Sequence, residues 1–181
     1  MTLLVLGLAL WIGAHFFKRI LPDLRQSMGN AGRGLVTVLS LAGLVLMIWG
    51  YRQADVIDVW QPPAWATHLN NLLMLLAVFF LGLAHSKGRL RARFRHPMLI
   101  SVKIWAVAHL LVNGDLASIV LFGGMLAWAV ISVILINRAE PWVPRTPGAP
   151  MRDVILVVAT LVAFGVIAGI HTWLGVSPFP G

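Results

Sequence analysis

The chain has 181 residues, of which 59% are hydrophobic and only 11% charged. That is too little polar material to cover a water-soluble domain of this size, so the composition points to a polytopic helical membrane protein. The net charge of +8 does not signal nucleic acid, because the basic residues sit in three short clusters between apolar runs, where membrane proteins carry orientation signals.

The absence of cysteine excludes disulfides, iron–sulfur clusters, thiolate zinc sites and covalently attached haem. A metal would have to use His, Met, carboxylate or water, and any haem would be non-covalent. The length suits one compact transmembrane domain over residues 1–181, with no room for a separate soluble one.

Six apolar runs follow one another, at Met1–Phe17, Gly34–Gly50, Trp65–Ala84, Pro97–Val112, Leu116–Ile136 and Val154–Leu174. About 20 residues at 1.5 Å each cross a hydrocarbon core of roughly 30 Å, which predicts an all-α bundle of about six transmembrane helices. The first, second and fourth runs are on the short side. The first lacks a basic start and is followed by Lys18 and Arg19, so it reads as a retained anchor and not as a signal peptide.

Positive clusters follow the first run (Lys18, Arg19, Arg25, Arg33), the third (Lys87, Arg89, Arg91, Arg93, Arg95) and the fifth (Arg138, Arg145, Arg152). The positive-inside rule then predicts that both termini lie outside the cytoplasm. Asp55–Pro63, with Trp60 and Trp65 around Pro62-Pro63, reads as an interfacial loop. Asn113-Gly114-Asp115 predicts a tight turn in which Gly114 ends one helix and Asp115 caps the next, making the fourth and fifth runs an antiparallel hairpin. Pro141 to Pro150 contains four prolines and predicts an extended connector.

The chemistry concentrates in Arg95–Asp115, where two histidines, Lys103 and Trp105 share a lipid-compatible stretch. Polar groups are costly in a bilayer, so such a segment is a candidate site. His109 lies well inside its run, and an imidazole there needs partners for both nitrogens, one of which an iron or another metal can supply. Trp105 precedes it by one turn and shares its face; it either packs on a bound ring or simply fills space. Lys103 snorkels to the membrane boundary or pairs with an anionic cofactor group. His15, His85 and His96 fall near one set of helix ends, and His68 and His171 near the other. Met47, Met74 and Met125 read as packing residues before soft ligands. The Lys87–Arg95 cluster sets topology and meets headgroups, or binds phosphates or propionates.

Arg95-His96-Pro97, Trp105-Ala106-Val107-Ala108-His109 and Asn113-Gly114-Asp115, together with His15 and Arg33-Gly34, resemble the NnrU family of bacterial membrane proteins. That family is associated by name with nitrite and nitric oxide metabolism (denitrification) and is similar to plant 15-cis-zeta-carotene isomerase. The resemblance implies an inner-membrane location and a haem b between His15 and His109, with Trp105, Arg95, His96 and Lys103 as further cofactor contacts. It also implies a hydrophobic or small-molecule substrate. The chain departs from the isomerase at Ala106, where the isomerase has a cysteine able to exchange as ligand, and at Phe16-Phe17, where it has small residues.

Depth along the helices leaves the second ligand open. His109 lies 12 residues past Pro97, roughly 18 Å along the axis, or about 9 Å if Lys103 marks the boundary, whereas His15 is close to its helix end. The Lys103 boundary eases the mismatch and keeps His15 with His109; otherwise His68 or His171 is the better partner on depth alone.

Arg-His-Pro also resembles the signature of membrane methyltransferases of the isoprenylcysteine carboxyl methyltransferase type, where it holds S-adenosylmethionine with a nearby acidic pair. Here Asn137-Arg138-Ala139-Glu140 supplies one carboxylate. A non-catalytic membrane subunit is the third reading.

Overall fold

A computed structural model describes residues 1–179. Among these, seven α-helices follow in order: α1 (Thr2–Ile20), α2 (Pro22–Ser27), α3 (Gly29–Arg52), α4 (Ala66–His85), α5 (Pro97–Leu110), α6 (Leu116–Ala139) and α7 (Met151–Trp173), with a 3₁₀ turn at Leu90–Arg93. Five of them, α1, α3, α4, α6 and α7, have 19 to 24 residues and are apolar enough to cross a membrane. The fourth apolar run differs: α5 has 14 residues, about 21 Å of helix, less than a full hydrocarbon core. Pro97 fixes its start, where a missing N–H costs nothing, and the backbone turns after Leu110.

The other helices overrun their apolar cores. Lys18 and Arg19 lie in the last turn of α1, and Arg52 ends α3, because backbone hydrogen bonding continues through the interface while long basic side chains reach water. The short α2, opened by Pro22 with Asp23 in its first turn, was not among the runs expected. The Pro141–Pro150 connector is extended as expected.

The chain groups into two compact units, residues 1–60 with 114–128, and residues 61–113 with 129–179 of those described. Helix α6 contributes its first half to one and its second half to the other.

In the first unit α1 packs antiparallel along α3, and glycines set their separation. A Cβ on Gly7 would lie 2.6 Å from Met47 N and 2.8 Å from Gly43 O, and one on Gly43 would lie 2.9 Å from Gly7 O and from Trp11 N. A Cβ on Gly50 would overlap the backbone N of Leu4. Two apolar helices gain nothing by leaving lipid for each other, so association comes from close van der Waals contact, which small residues permit.

At the head of α6, Val59 N and Trp60 N donate to Gly114 O, and Leu116 N donates to Ile57 O. A Cβ on Gly114 would overlap Trp60 O, so this contact requires glycine. Asp115 caps α6 as expected: its Oδ1 accepts from Ser118 N at 2.9 Å and its Oδ2 from Ser118 Oγ, whose oxygen lies 2.8 Å from Tyr51 OH. Asp115→Ala removes the cap and leaves buried Ser118 under-satisfied; a loss of about 2 kcal/mol is expected, read as a lower thermal midpoint in detergent.

In the second unit α4 packs against α5 and α7. The buried Ser101 Oγ donates to Ala77 O at 2.7 Å, and Gly82 faces Leu156 and Thr160. The Asp153 carboxylate at the head of α7 accepts from Arg89 N and Leu90 N, tying the connector between α4 and α5 to α7. The antiparallel hairpin expected of the fourth and fifth runs is present. The Asn113–Asp115 turn joins the end of α5 to the start of α6, and Arg95 and His96 at the other end of α5 reach Ile136, Asn137 and Glu140.

Candidate functional site

In the second unit, His109 sits near the end of α5, half-buried, with its Nδ1 2.9 Å from Trp105 O. A carbonyl can only accept, so Nδ1 carries the proton and Nε2 is the basic nitrogen. The Trp105 ring lies 5.3 Å from the His109 ring, tilted by 52°. Asn113 Nδ2 donates to His109 O at 2.8 Å, which closes the helix end beneath the imidazole.

His171 on α7 is presented the same way, Nδ1 donating to Ile167 O at 2.8 Å. The Ser101–Ala77 bond sets the register of α5 on α4 and puts His109 about level with Leu69. The seating of Gly82 against Leu156 and Thr160 puts His171 at about the same level.

Asn70, one residue further along α4, is 8% exposed. Its Nδ2 donates to Asn71 Oδ1, while its own Oδ1 is buried with no protein donor. An unmet acceptor in a membrane helix is costly, so this level of the unit has polar capacity that its own side chains do not use.

In the first unit, His15 lies on α1 with Nδ1 2.7 Å from Trp11 O, again leaving Nε2 as the basic nitrogen. Its ring stacks at 4.3 Å and 30° on Trp11 and meets the edge-on ring of Trp128 at 5.0 Å and 73°. Trp11 and Trp128 are themselves edge to face at 5.7 Å, and both indole N–H groups are buried without a hydrogen-bond acceptor.

Sequence reasoning singled out Trp105 but passed over these two tryptophans. A signal for Trp11 was present, since Trp11-x-x-x-His15 repeats the spacing of Trp105-x-x-x-His109. Trp128 has no local signal; α6 brings it to His15 from more than a hundred residues away.

The Arg-His-Pro motif serves a third place. Arg95 Nη2 donates to Glu140 O at 2.5 Å and Ile136 O at 3.3 Å, and His96 Nε2 is 2.8 Å from Asn137 Oδ1. The Arg95 cation therefore meets carbonyls at the end of α6, where the helix dipole is negative, while His96 meets the side-chain amide of Asn137. This brings Arg95, His96 and Glu140 to one end of α6, with Arg95 and His96 committed to holding it. Lys103 is half-buried midway along α5, away from this cluster. His68 and His85 are exposed at opposite ends of α4.

A haem iron takes an imidazole nitrogen whose sister nitrogen is held by a carbonyl or carboxylate. His15, His109 and His171 each meet that condition, so the residues present fit the group. No group of three or more His, Cys, Asp or Glu side chains among the described residues is arranged to hold a bare metal ion.

A family model described as NnrU protein matches residues 3–178, nearly the whole chain. No curated protein and no solved structure gives a significant match.

Proposed function

Because the chain belongs to the NnrU protein family, we propose that it is a membrane protein that binds haem b non-covalently, with His15 and His109 as iron ligands. The observation that carries this reading is the shared presentation of the two imidazoles. Each follows a tryptophan by one turn and donates Nδ1–H to that residue's carbonyl, which orients Nε2 and raises its basicity as a ligand. Trp11, Trp128 and Trp105 provide flat apolar walls beside these rings.

Haem, when bound, supplies electron transfer or activation of a small ligand. The reaction classes this fits are redox chemistry, nitrogen-oxide chemistry and isomerisation of an apolar substrate reached from the bilayer. Ala106, fully buried one turn before His109, offers no thiolate, so a haem held here would have no cysteine ligand to exchange with.

A second reading has a specific observation in its favour. His171 and His109 stand at one level of α4 within one unit, which satisfies the shared depth that two ligands of one iron need, and His171 then replaces His15. The methyltransferase reading is weaker, since Arg95 and His96 are spent on the end of α6.

An ultraviolet–visible spectrum of the detergent-purified full chain, oxidised and dithionite-reduced, tests the proposal. A Soret band with split reduced bands, lost in His109→Ala and weakened in His15→Ala, is the expected result. Loss in His171→Ala with His15→Ala unchanged transfers the second ligand to α7. A colourless native protein from cells supplied with ample haem would overturn both readings.

From the three basic clusters we further propose that the connectors after α1, α4 and α6 lie in the cytoplasm and both termini outside it, in a bacterial inner membrane. An alkaline phosphatase fusion at the C-terminus should then be active and one after Arg93 inactive; the reverse pattern refutes the orientation.

A further inference from the structure

Two connectors of the second unit meet beyond the ends of the membrane-crossing helices. The segment after α4 and the proline-rich segment before α7 come together where Gly148 sits against Lys87 O. Between them lies a half-open cavity of about 170 Å³ lined by Ser86, Lys87, Gly88, Arg91, Arg145 and Thr146. Its charged lining is entirely cationic.

Arg91 is held in place by one bond, Nη1 to Phe94 O at 2.6 Å. Its Nε is buried and has no acceptor. A guanidinium N–H removed from water without a partner is an expensive group, so the Arg91 side chain is under-satisfied within the chain. Burial, and then the like charge of Arg145, push the Arg91 guanidinium below its usual value, although an arginine keeps its proton.

The Asp153 carboxylate lies beside Gly88 at the edge of the cavity. Asp153 is engaged by Arg89 N and Leu90 N. Ser86 Oγ accepts from Gly88 N at 3.0 Å, which leaves its hydroxyl proton to donate.

We propose that this cavity binds a phosphate group, clamped by Arg91 and Arg145 with Lys87 and the hydroxyls of Ser86 and Thr146 as further donors. Arginine forks match the geometry of phosphate oxygens, and a dianion converts the repulsion between the two guanidiniums into two attractions. The volume is below the roughly 300–1,000 Å³ of sites for drug-sized ligands, so it suits one phosphate and not a nucleotide. The group comes either from an anionic lipid headgroup, since the cavity lies just beyond the ends of α4 and α7, or from a soluble phosphate. The site is independent of haem.

The test uses the full chain in a zwitterionic detergent and follows its thermal midpoint. Inorganic phosphate is titrated in one arm against sodium chloride of equal ionic strength, and phosphatidic acid against phosphatidylcholine in the other. A saturable rise in midpoint is expected, with the concentration for half the effect increasing at least tenfold in Arg91→Gln and Arg145→Gln and staying unchanged in Arg93→Gln, an exposed arginine outside the cavity. Arg145 is exposed, so its variant folds even if Arg91→Gln does not. A response to the lipid alone assigns the site to headgroups, and a response to inorganic phosphate assigns it to a soluble ligand. No saturable rise in either arm, an equal effect of chloride, or full retention in Arg145→Gln would overturn the proposal.

Discussion

His109→Ala is expected to abolish the haem spectrum while leaving the helical circular dichroism in place. The imidazole is tied to the turn before it through Trp105 O, and the fully buried residues of α5 are Pro97, Ser101, Ala106 and Ala108. Loss of a partner that merely orients a metal ligand costs on the order of 10–100-fold in affinity; loss of the ligand itself should exceed that. His109→Gly with added imidazole separates ligation from structure. Recovery of a Soret band with imidazole is the signature of a vacated ligand position, whereas a packing defect has no reason to respond. The same pair of measurements at His15 and at His171 identifies the second ligand. If His109→Ala keeps the native spectrum, the reading is wrong at its centre.

Gly50→Leu should have the largest effect on stability. A Cβ at this position would run into the backbone of Leu3 and Leu4, and backbone has no rotamer with which to give way. Overpacking a core commonly costs 1–3 kcal/mol. Here α1 and α3 must separate along the stretch held together by Gly7, Gly43 and Gly50, so a loss of about 3 kcal/mol or more is expected. The readout is the yield of monodisperse protein and its thermal midpoint in detergent. Gly165→Leu on α7 is the control, because nothing lies within 4 Å of a Cβ there; it should leave the midpoint nearly unchanged. Equal losses in the two variants would show that the α1–α3 contact does not decide the result, since leucine is the better helix former at both positions.

Features dictated by neighbours in sequence were legible without coordinates. Long apolar runs become helices because lipid leaves a backbone no other way to satisfy its polar groups. Asp115 caps α6, and Pro141–Pro150 forms no helix, for reasons confined to a few residues. Gly114 does not end the helix before it, since α5 stops at Leu110, and glycine is required there by the approach of Trp60. The ends of helices were less legible, as with Arg52 inside α3, since apolar content marks the hydrocarbon core while hydrogen bonding carries a helix beyond it. The short α5 is an exception with a local cause, the proline at its start.

Long-range arrangement decided everything else. Gly43 and Gly50 read as weak helix formers until α1 lies against them. Arg-His-Pro read as an anion or cofactor motif until the end of α6 brought backbone carbonyls to Arg95 and the Asn137 side-chain amide to His96. Trp128 reaches His15, His171 reaches the level of His109, and Arg145 faces Arg91 only because helices and connectors far apart in the chain pack together. The sequence by itself determined a helical membrane protein of the NnrU family, because composition and helical spacing act within a few turns. Which of its side chains meet was decided by tertiary packing, because side-chain contact between helices depends on register and close approach that no local pattern encodes.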